Sequence, residues 1–275
     1  MEKKRVLLMS DLHYCQEEYG GISRDEKAER ILKFIQDEHE KAPFSAILFL
    51  GDYSLDHWAW NVKGSWLTEG KSYTKQFVET YLKELPAPHF MLAGNHEQYG
   101  EELWKSITGF SRSGEVVVGD YLFVLWDSYG ADLDPTEHSD GTYTPIDVAK
   151  VREAMARHPD KKVILCSHFF VPTLTEEECA LIRDDRIVCL CMGHTHFTGV
   201  NMLSEEYGCK LVLQTGSWGG TGSSGRWPWG GRDMYLEDGC VTSSYIVYGQ
   251  KLYQQGTHPF TVPAHKQDFA TIPTK

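Results

Sequence analysis

Five apolar runs along the chain share one pattern. Each has the length and composition of a buried strand, and each stops at polar residues that a core has no use for. Val6–Met9 leads to Asp11 and His13, and Ala46–Leu50 leads to Asp52. Phe90-Met91-Leu92-Ala93 leads to Gly94-Asn95-His96-Glu97, Val163–Cys166 to His168, and Ile187–Met192 to His194 and His196. Short apolar runs bounded by turn signals indicate fully buried strands. The turns that follow such strands are where α/β folds carry their chemistry.

Between these runs the period changes to that of helices. Ser23-Arg24-Asp25-Glu26 has the form of a capping box, and Ala28, Ile31, Leu32 and Ile35 give the apolar face of a helix from about Arg24 to Glu40. Strand, helix and strand in that order make a βαβ unit with parallel strands. A second helix is expected over Ser72–Leu85, ended by Pro86 and Pro88, then a strand over His89–Ala93 and a short helix over Glu101–Ile107. Glu115–Val118 and Tyr121–Trp126, joined by Gly119-Asp120, read as an antiparallel hairpin. Thr144-Pro145 reads as the cap and first residue of a helix reaching about Arg157, and Glu176–Arg183 as an acidic helical segment. Leu211–Gln214 and Ser244–Tyr248 complete the strands. Their total, roughly nine or ten, is large for one open sheet, and two packed sheets with outer helices bury them more easily.

Two stretches lack such periodicity. Tyr53 to about Gly70 is an aromatic-rich loop with His57, Trp58, Trp60 and Trp66. Gly216–Gly231 is rich in glycine, serine and tryptophan, with Trp218, Arg226, Trp227 and Trp229 in it. No interdomain linker is apparent, so the expectation is one domain over residues 1–275.

A length of 275 residues, 41% of them hydrophobic, is ample for a sizeable core. The net charge of −12 argues against a stable nucleic-acid complex or an anionic membrane partner. Only Val6–Met9 follows the charged start Met1–Arg5, which is neither a signal peptide nor a membrane span. Seven cysteines without a CxxC pair read as free thiols, the state expected in a cytoplasmic protein.

The residues after the five runs form one inventory: two carboxylates, one amide and four imidazoles, from Asp11, His13, Asp52, Asn95, His168, His194 and His196. Asp11 and His13 are two apart, as are His194 and His196, a spacing that turns both side chains the same way in extended chain. Seven donors exceed the needs of one tetrahedral site and suit two adjacent ions sharing a carboxylate. Nitrogen and oxygen donors favour divalent or trivalent manganese, iron or zinc and do not choose among them. Two such ions, two carboxylates and a bridging hydroxide leave a positive centre suited to a phosphate oxygen and to attack by that hydroxide. His96 is suited to the leaving-group oxygen, and Glu97 to holding the His96 tautomer.

In this order, Asp11-Leu12-His13, Gly51-Asp52, Gly94-Asn95-His96-Glu97, Ser167-His168 and Gly193-His194-Thr195-His196 resemble the motifs of the calcineurin-like metallophosphoesterase superfamily. The resemblance covers about Val6 to Phe197. It implies a four-layer α-β-β-α sandwich with two packed mixed sheets and a dinuclear metal site at strand ends. It implies Asp11, His13, Asp52 and His196 around one metal, and Asp52, Asn95, His168 and His194 around the other, with Asp52 bridging. It also implies His96 as the catalytic histidine. Glu97 stands where the family commonly has aspartate. Gly51-Asp52-Tyr53-Ser54-Leu55-Asp56-His57 lacks the arginine by which the protein Ser/Thr phosphatases clamp phosphate.

The expected function is therefore hydrolysis of a small-molecule phosphodiester. A phosphomonoesterase or protein phosphatase is the alternative enzyme. An inactive protein-interaction scaffold is the alternative outside enzymology. His57, Trp218 and Arg226 are the candidate substrate contacts, the aromatic loops being suited to an organic group beside the phosphate, with packing of the glycine-rich stretch the other reading of Trp218. Taken singly, each histidine is an ordinary turn residue and each aspartate an ordinary cap. Only their order and number carry the argument.

Overall fold

A computed structural model describes residues 3–15, 22–57, 72–131, 133, 141–219, 229–248 and 269–274. Strands β1 (Lys4–Met9), β2 (Ala46–Leu50) and β3 (His89–Leu92) are parallel neighbours, linked by helices α1 (Arg24–Lys41) and α2 (Tyr73–Thr80). Helix α3 (Glu101–Thr108) leads to the antiparallel pair β4 (Gly114–Val118) and β5 (Tyr121–Trp126). Helix α4 (Val148–Arg157), β6 (Lys162–Ser167), α5 (Glu176–Ile182) and β7 (Ile187–Met192) follow. The remaining strands are β8 (Thr198–Met202), β9 (Leu211–Thr215), β10 (Gly230–Glu237), β11 (Cys240–Val247) and β12 (Ala270–Pro273).

Two mixed six-stranded sheets result, ordered β12-β11-β10-β1-β2-β3 and β4-β5-β6-β7-β9-β8. Both faces of the parallel strands are buried, so alternate residues serve two cores. Val6, Leu8, Leu48 and Leu50 pack inward against Phe123, Leu125, Ile164, Cys166, Cys189 and Cys191 of the other sheet. Leu7, Met9, Ile47 and Phe49 pack outward against Ala28, Ile31, Phe34 and Ile35 of α1. On the far side, Leu122, Val124, Val163 and Leu165 pack against Val151, Ala154 and Met155 of α4 and Leu181 and Ile182 of α5. The expected four layers are therefore present, helices outside and sheets between.

The differences from the sequence reading lie at element ends. Ser23 caps α1 as expected, accepting from Glu26 N–H. The second helix stops at Thr80, and Leu82–Glu84 tightens to a 3-10 turn. Leu85 precedes Pro86 and is extended, as the proline ring requires. Helix α4 starts three residues later than expected because Asp147, not Thr144, caps it by accepting from Lys150 N–H. Gly230 and Gly231, expected in irregular chain, open β10. A Cβ on Gly230 would overlap the Ile246 carbonyl, so only glycine fits this strand pairing. No described helix is long and apolar enough to cross a membrane, and all seven cysteines are free thiols.

Candidate metal centre

The turns after the parallel strands converge because the strands adjoin. The chain after β1 bonds to the chain after β2: Asp11 N–H donates to Gly51 O at 3.0 Å, His13 N–H to Asp52 O at 3.1 Å and Tyr14 N–H to Tyr53 O. In the second sheet Gly193 N–H donates to His168 O at 2.9 Å, joining the turns after β6 and β7. Other bonds tie one sheet's turns to the other's. His194 N–H donates to Asp11 Oδ2 at 2.9 Å, and His168 Nδ1 lies 2.7 Å from Leu50 O. A carbonyl only accepts, so Nδ1 carries the proton and Nε2 faces the centre, the usual arrangement of a metal-binding histidine.

These turns are bent sharply. Asp11, His13, Asp52, His194 and His196 have φ of 54°, 47°, 59°, 65° and 60°. Non-glycine residues in this left-handed region are uncommon, and such strain collects at functional sites. Glycines make the room. A Cβ on Gly94 would overlap Asp52 Oδ1, one on Gly51 would lie 2.6 Å from His168 Nδ1, and one on Gly193 would lie 2.6 Å from Ser10 Cβ.

The structure brings all seven expected donors together. His196 Nε2 is 3.3 Å, and His13 Nε2 4.0 Å, from Asp11 Oδ1. His13 Nε2 is also 3.8 Å from Asp52 Oδ2. On the other side His168 Nε2 is 3.1 Å from Asp52 Oδ2. Asn95 Oδ1 lies 2.9 Å from His168 Nε2 and 3.0 Å from His194 Nδ1, and those two nitrogens are 3.3 Å apart. Asp11, His13 and His196 thus form one cluster and Asp52, His168 and His194 another, while Asp52 also groups with His13 and His96. Donors about 2.1 Å from a common ion stand at most about 4.2 Å apart, so these spacings fit a cation in each cluster. The chemistry agrees, because ring nitrogens face carboxylate and amide oxygens, an arrangement that a proton or a cation between them satisfies.

The second oxygens of both carboxylates are held by the protein. Asp52 Oδ1 accepts from His96 N–H at 3.1 Å. Asp11 Oδ2 accepts from Ser10 Oγ as well as from His194 N–H. Asp52 Oδ2 stays in the middle, 3.6 Å from His96 Nε2. Burial alone would raise the Asp52 carboxyl, but the imidazoles of His168 and His96 hold it well below the usual range. Burial lowers His13 and His194 to about 4, which favours neutral, ligating imidazole. Burial would also lower His168, yet Asp52 outweighs it and raises that histidine to about 9.

Three expected roles change. Glu97 does not bond the His96 ring; its oxygens accept from the N–H groups of Asp52 (2.7 Å), Tyr53 (2.8 Å), Ser54 (3.3 Å) and Gly94 (2.9 Å). With four N–H groups on its two oxygens, Glu97 orders the Asp52 turn. Trp218 is no substrate contact. It is fully buried, its Nε1 donates to Gly230 O at 2.6 Å, and it stacks on Trp229 at 5.6 Å. Its backbone N–H donates to Asp11 O at 2.9 Å, so Trp218 supports the Asp11 turn. His57 is buried too, accepting from Gln98 N–H at 3.1 Å with the His96 carbonyl 3.0 Å from the same nitrogen. It supports the His96 turn and offers no open face. Arg226, Trp58, Trp60, Trp66 and Trp227 lie outside the described residues.

One buried residue escaped the sequence reading. Arg112 grips Asp127 through Nε (2.5 Å) and Nη2 (3.1 Å), and its Nη1 donates to the carbonyls of Glu97 and Tyr99. Nothing local marks it, because it comes from the turn between α3 and β4 and the carbonyls it holds lie 13 and 15 residues back, on the other side of α3.

Comparison with known proteins agrees with this geometry. The family model described as calcineurin-like phosphoesterase matches residues 4–197. A dimetal phosphatase from Danio rerio superposes with a TM-score of 0.68 at 13% identity, over 99% of both chains. A purple acid phosphatase from yellow lupin seeds gives 0.61 at 12% identity, over 99% of this chain and 54% of that one. GAP50, the anchor in the inner membrane complex of Plasmodium, gives 0.55 at 12% identity, over 99% of this chain and 89% of that one. No curated protein sequence matches the chain.

Proposed function

The chain belongs to the calcineurin-like phosphoesterase family, and from that premise we propose that it hydrolyses a small-molecule phosphodiester at a dinuclear centre. In this reading Asp11, His13, Asp52 and His196 hold one metal, and Asp52, Asn95, His168 and His194 hold the other. Manganese, iron or zinc suits these donors. When bound, the metals supply Lewis acidity at a phosphoryl oxygen and lower the pKa of water into the neutral range. The chain's own residues do the remainder. Asp52 would offer Oδ2 to both sites, its Oδ1 being held by the His96 N–H. His96 offers Nε2 beside the centre, where it protonates or stabilises the departing oxygen. Glu97 and Arg112 fix the turns that carry these groups. Residues 1–275 act as one domain and take a small phosphorylated molecule, not a nucleic acid or a membrane.

The observation that carries this reading is the position of Asp52 Oδ2, within 4 Å of His13, His96 and His168 at once. The preference for a diester is supported by the use of Arg112, whose donors are taken by Asp127 and by main-chain carbonyls rather than left for a dianionic monoester. A scaffold role has less support, because every donor position is filled. The test is a matched pair of para-nitrophenyl substrates, one diester and one monoester, on manganese-loaded protein. The expected kcat/KM for the diester is at least about tenfold higher, about 1.4 kcal/mol of transition-state preference. Preference for the monoester would assign the alternative activity, and no turnover of either would favour the scaffold.

A further inference from the structure

The rings bordering the Asn95–His168–His194 side of the centre are not needed to bind metal. Phe169 follows His168 directly, and its ring centroid lies 4.3 Å from that of His194 at a tilt of 43°. Tyr143 meets Phe169 edge-on at 5.9 Å. Tyr129 lies 5.9 Å from His168 and 5.8 Å from His194. Backbone bonds hold this wall in place. Phe169 N–H donates to Ser128 Oγ at 3.1 Å. The Tyr143 hydroxyl accepts from Val171 N–H at 3.0 Å and donates to Val171 O at 3.3 Å. The surface is therefore preformed, which lowers the ordering cost of binding.

The wall is open at Phe169 and Tyr143, while Tyr129 backs it from a buried position. Phe169 and Tyr143 are only partly buried. Val171, bonded to Tyr143, is 39% exposed, and Phe197, next to His196, is 41% exposed. Phosphate itself gains nothing from an aromatic face, whereas an organic group esterified to it does.

We propose that Phe169, flanked by Tyr143 and Tyr129, is a specificity-determining platform for a planar organic group of the ester, on the His194 side of the centre. This rests on the phosphoester-hydrolase reading above. A nucleobase and an aryl ring share the needed chemistry, a flat uncharged face of suitable size. Stacking of one such ring on an aromatic side chain amounts to about 5- to 100-fold in affinity.

Binding and turnover test the platform separately. In calorimetric titrations of manganese-loaded protein, AMP and phenyl phosphate are compared with inorganic phosphate. At least one ring-bearing ligand is expected to bind tighter than phosphate, by about 5- to 100-fold. Preference for AMP assigns a nucleoside, and preference for phenyl phosphate an aryl group. Phe169→Leu keeps an apolar residue without a ring and should erase most of that preference, while Phe169→Trp should restore it. In turnover, Phe169→Leu should lower the ratio of kcat/KM between bis(para-nitrophenyl) and methyl para-nitrophenyl phosphate, mainly through KM. An unchanged binding preference in Phe169→Leu, or equal loss on both esters, would overturn the platform. Protein that hydrolyses neither ester yet shows the Phe169-dependent preference keeps the platform and rejects the hydrolase reading.

Discussion

His168 Nε2 lies 3.1 Å from Asp52 Oδ2, although the two residues leave strands of different sheets. Because Nδ1 donates to Leu50 O, the space between imidazole and carboxylate has to hold either a proton or a cation. Burial opposes a proton there, but Asp52 raises His168 to about 9, so the metal-free protein is protonated at neutral pH. A cation entering that space displaces the proton. Manganese added to metal-free protein in weak buffer near pH 7 should therefore release protons, and a pH indicator reads the release directly. It should fade as the starting pH rises above about 9, and His168→Gln should reduce it. A release that persists unchanged in His168→Gln would place the proton elsewhere.

Gly94 is where the centre tolerates no side chain. A Cβ there would overlap the carboxylate of Asp52, so Gly94→Ala should displace Asp52 and lower metal content and turnover together. Gly100, six residues along, has nothing within 4 Å of its would-be Cβ. Gly100→Ala should stay within about 1 kcal/mol of wild type, the scale of a lost helix cap. Metal analysis and chemical denaturation of the two variants check the contrast, and equal behaviour would contradict it.

Arg112 and Asp127 form a buried pair whose arginine also holds two carbonyls of the Glu97–Tyr99 loop. Arg112→Ala leaves Asp127 without its cation and should cost about 3–5 kcal/mol of stability by urea unfolding. Arg112→Lys keeps the charge but not the forked geometry. It should recover part of the stability while any phosphoester turnover stays below that of wild type, because the loop carrying Asn95 and His96 is no longer held. Full recovery of both by lysine would show that charge alone matters.

His96 sits beside the donor clusters without being needed to complete either of the two expected ligand sets. His96→Ala should leave metal content intact and lower turnover by about 10²–10⁴-fold, the scale of general acid catalysis. Loss of metal with the same substitution would reassign it as a ligand. Trp218→Phe offers the opposite pattern. Its indole is buried among Phe34, Trp229 and Tyr248, so the substitution should lower stability without raising KM.

These particulars show what could be read from the chain alone. Apolar runs ending in Asp, Asn and His made the parallel strands and the donor residues visible, because burial on both faces leaves no polar positions inside a strand. The capping box of α1 was equally local. Glu97 departs from its expected role, and Trp218 takes the packing role rather than the substrate contact, because their partners are set by the fold. A glutamate beside a histidine looks like its support, yet the turn after β2 presents nearer N–H donors. A tryptophan in a glycine-rich stretch suits packing or a substrate face, and Trp218 packs, with its ring on Trp229 and its N–H on Asp11 O. Five of the donor residues take left-handed backbone. Aspartate and histidine tolerate that region better than most residues, but a sequence does not show which of them adopts it. Phe169 and Arg112 gave no signal, being ordinary residues whose meaning comes from what lies across the sheets.

The central claim is that Asp52 belongs to two metal subsites at once, and the most direct measurement is metal content per chain after loading with manganese and removal of excess. Wild type should hold about two ions, the number expected of a two-metal hydrolytic centre. Asp52→Ala should lose both, whereas His196→Ala and His194→Ala should each weaken one. An Asp52→Ala protein that folds and still holds two ions, or a wild type that saturates at one, would contradict the shared carboxylate.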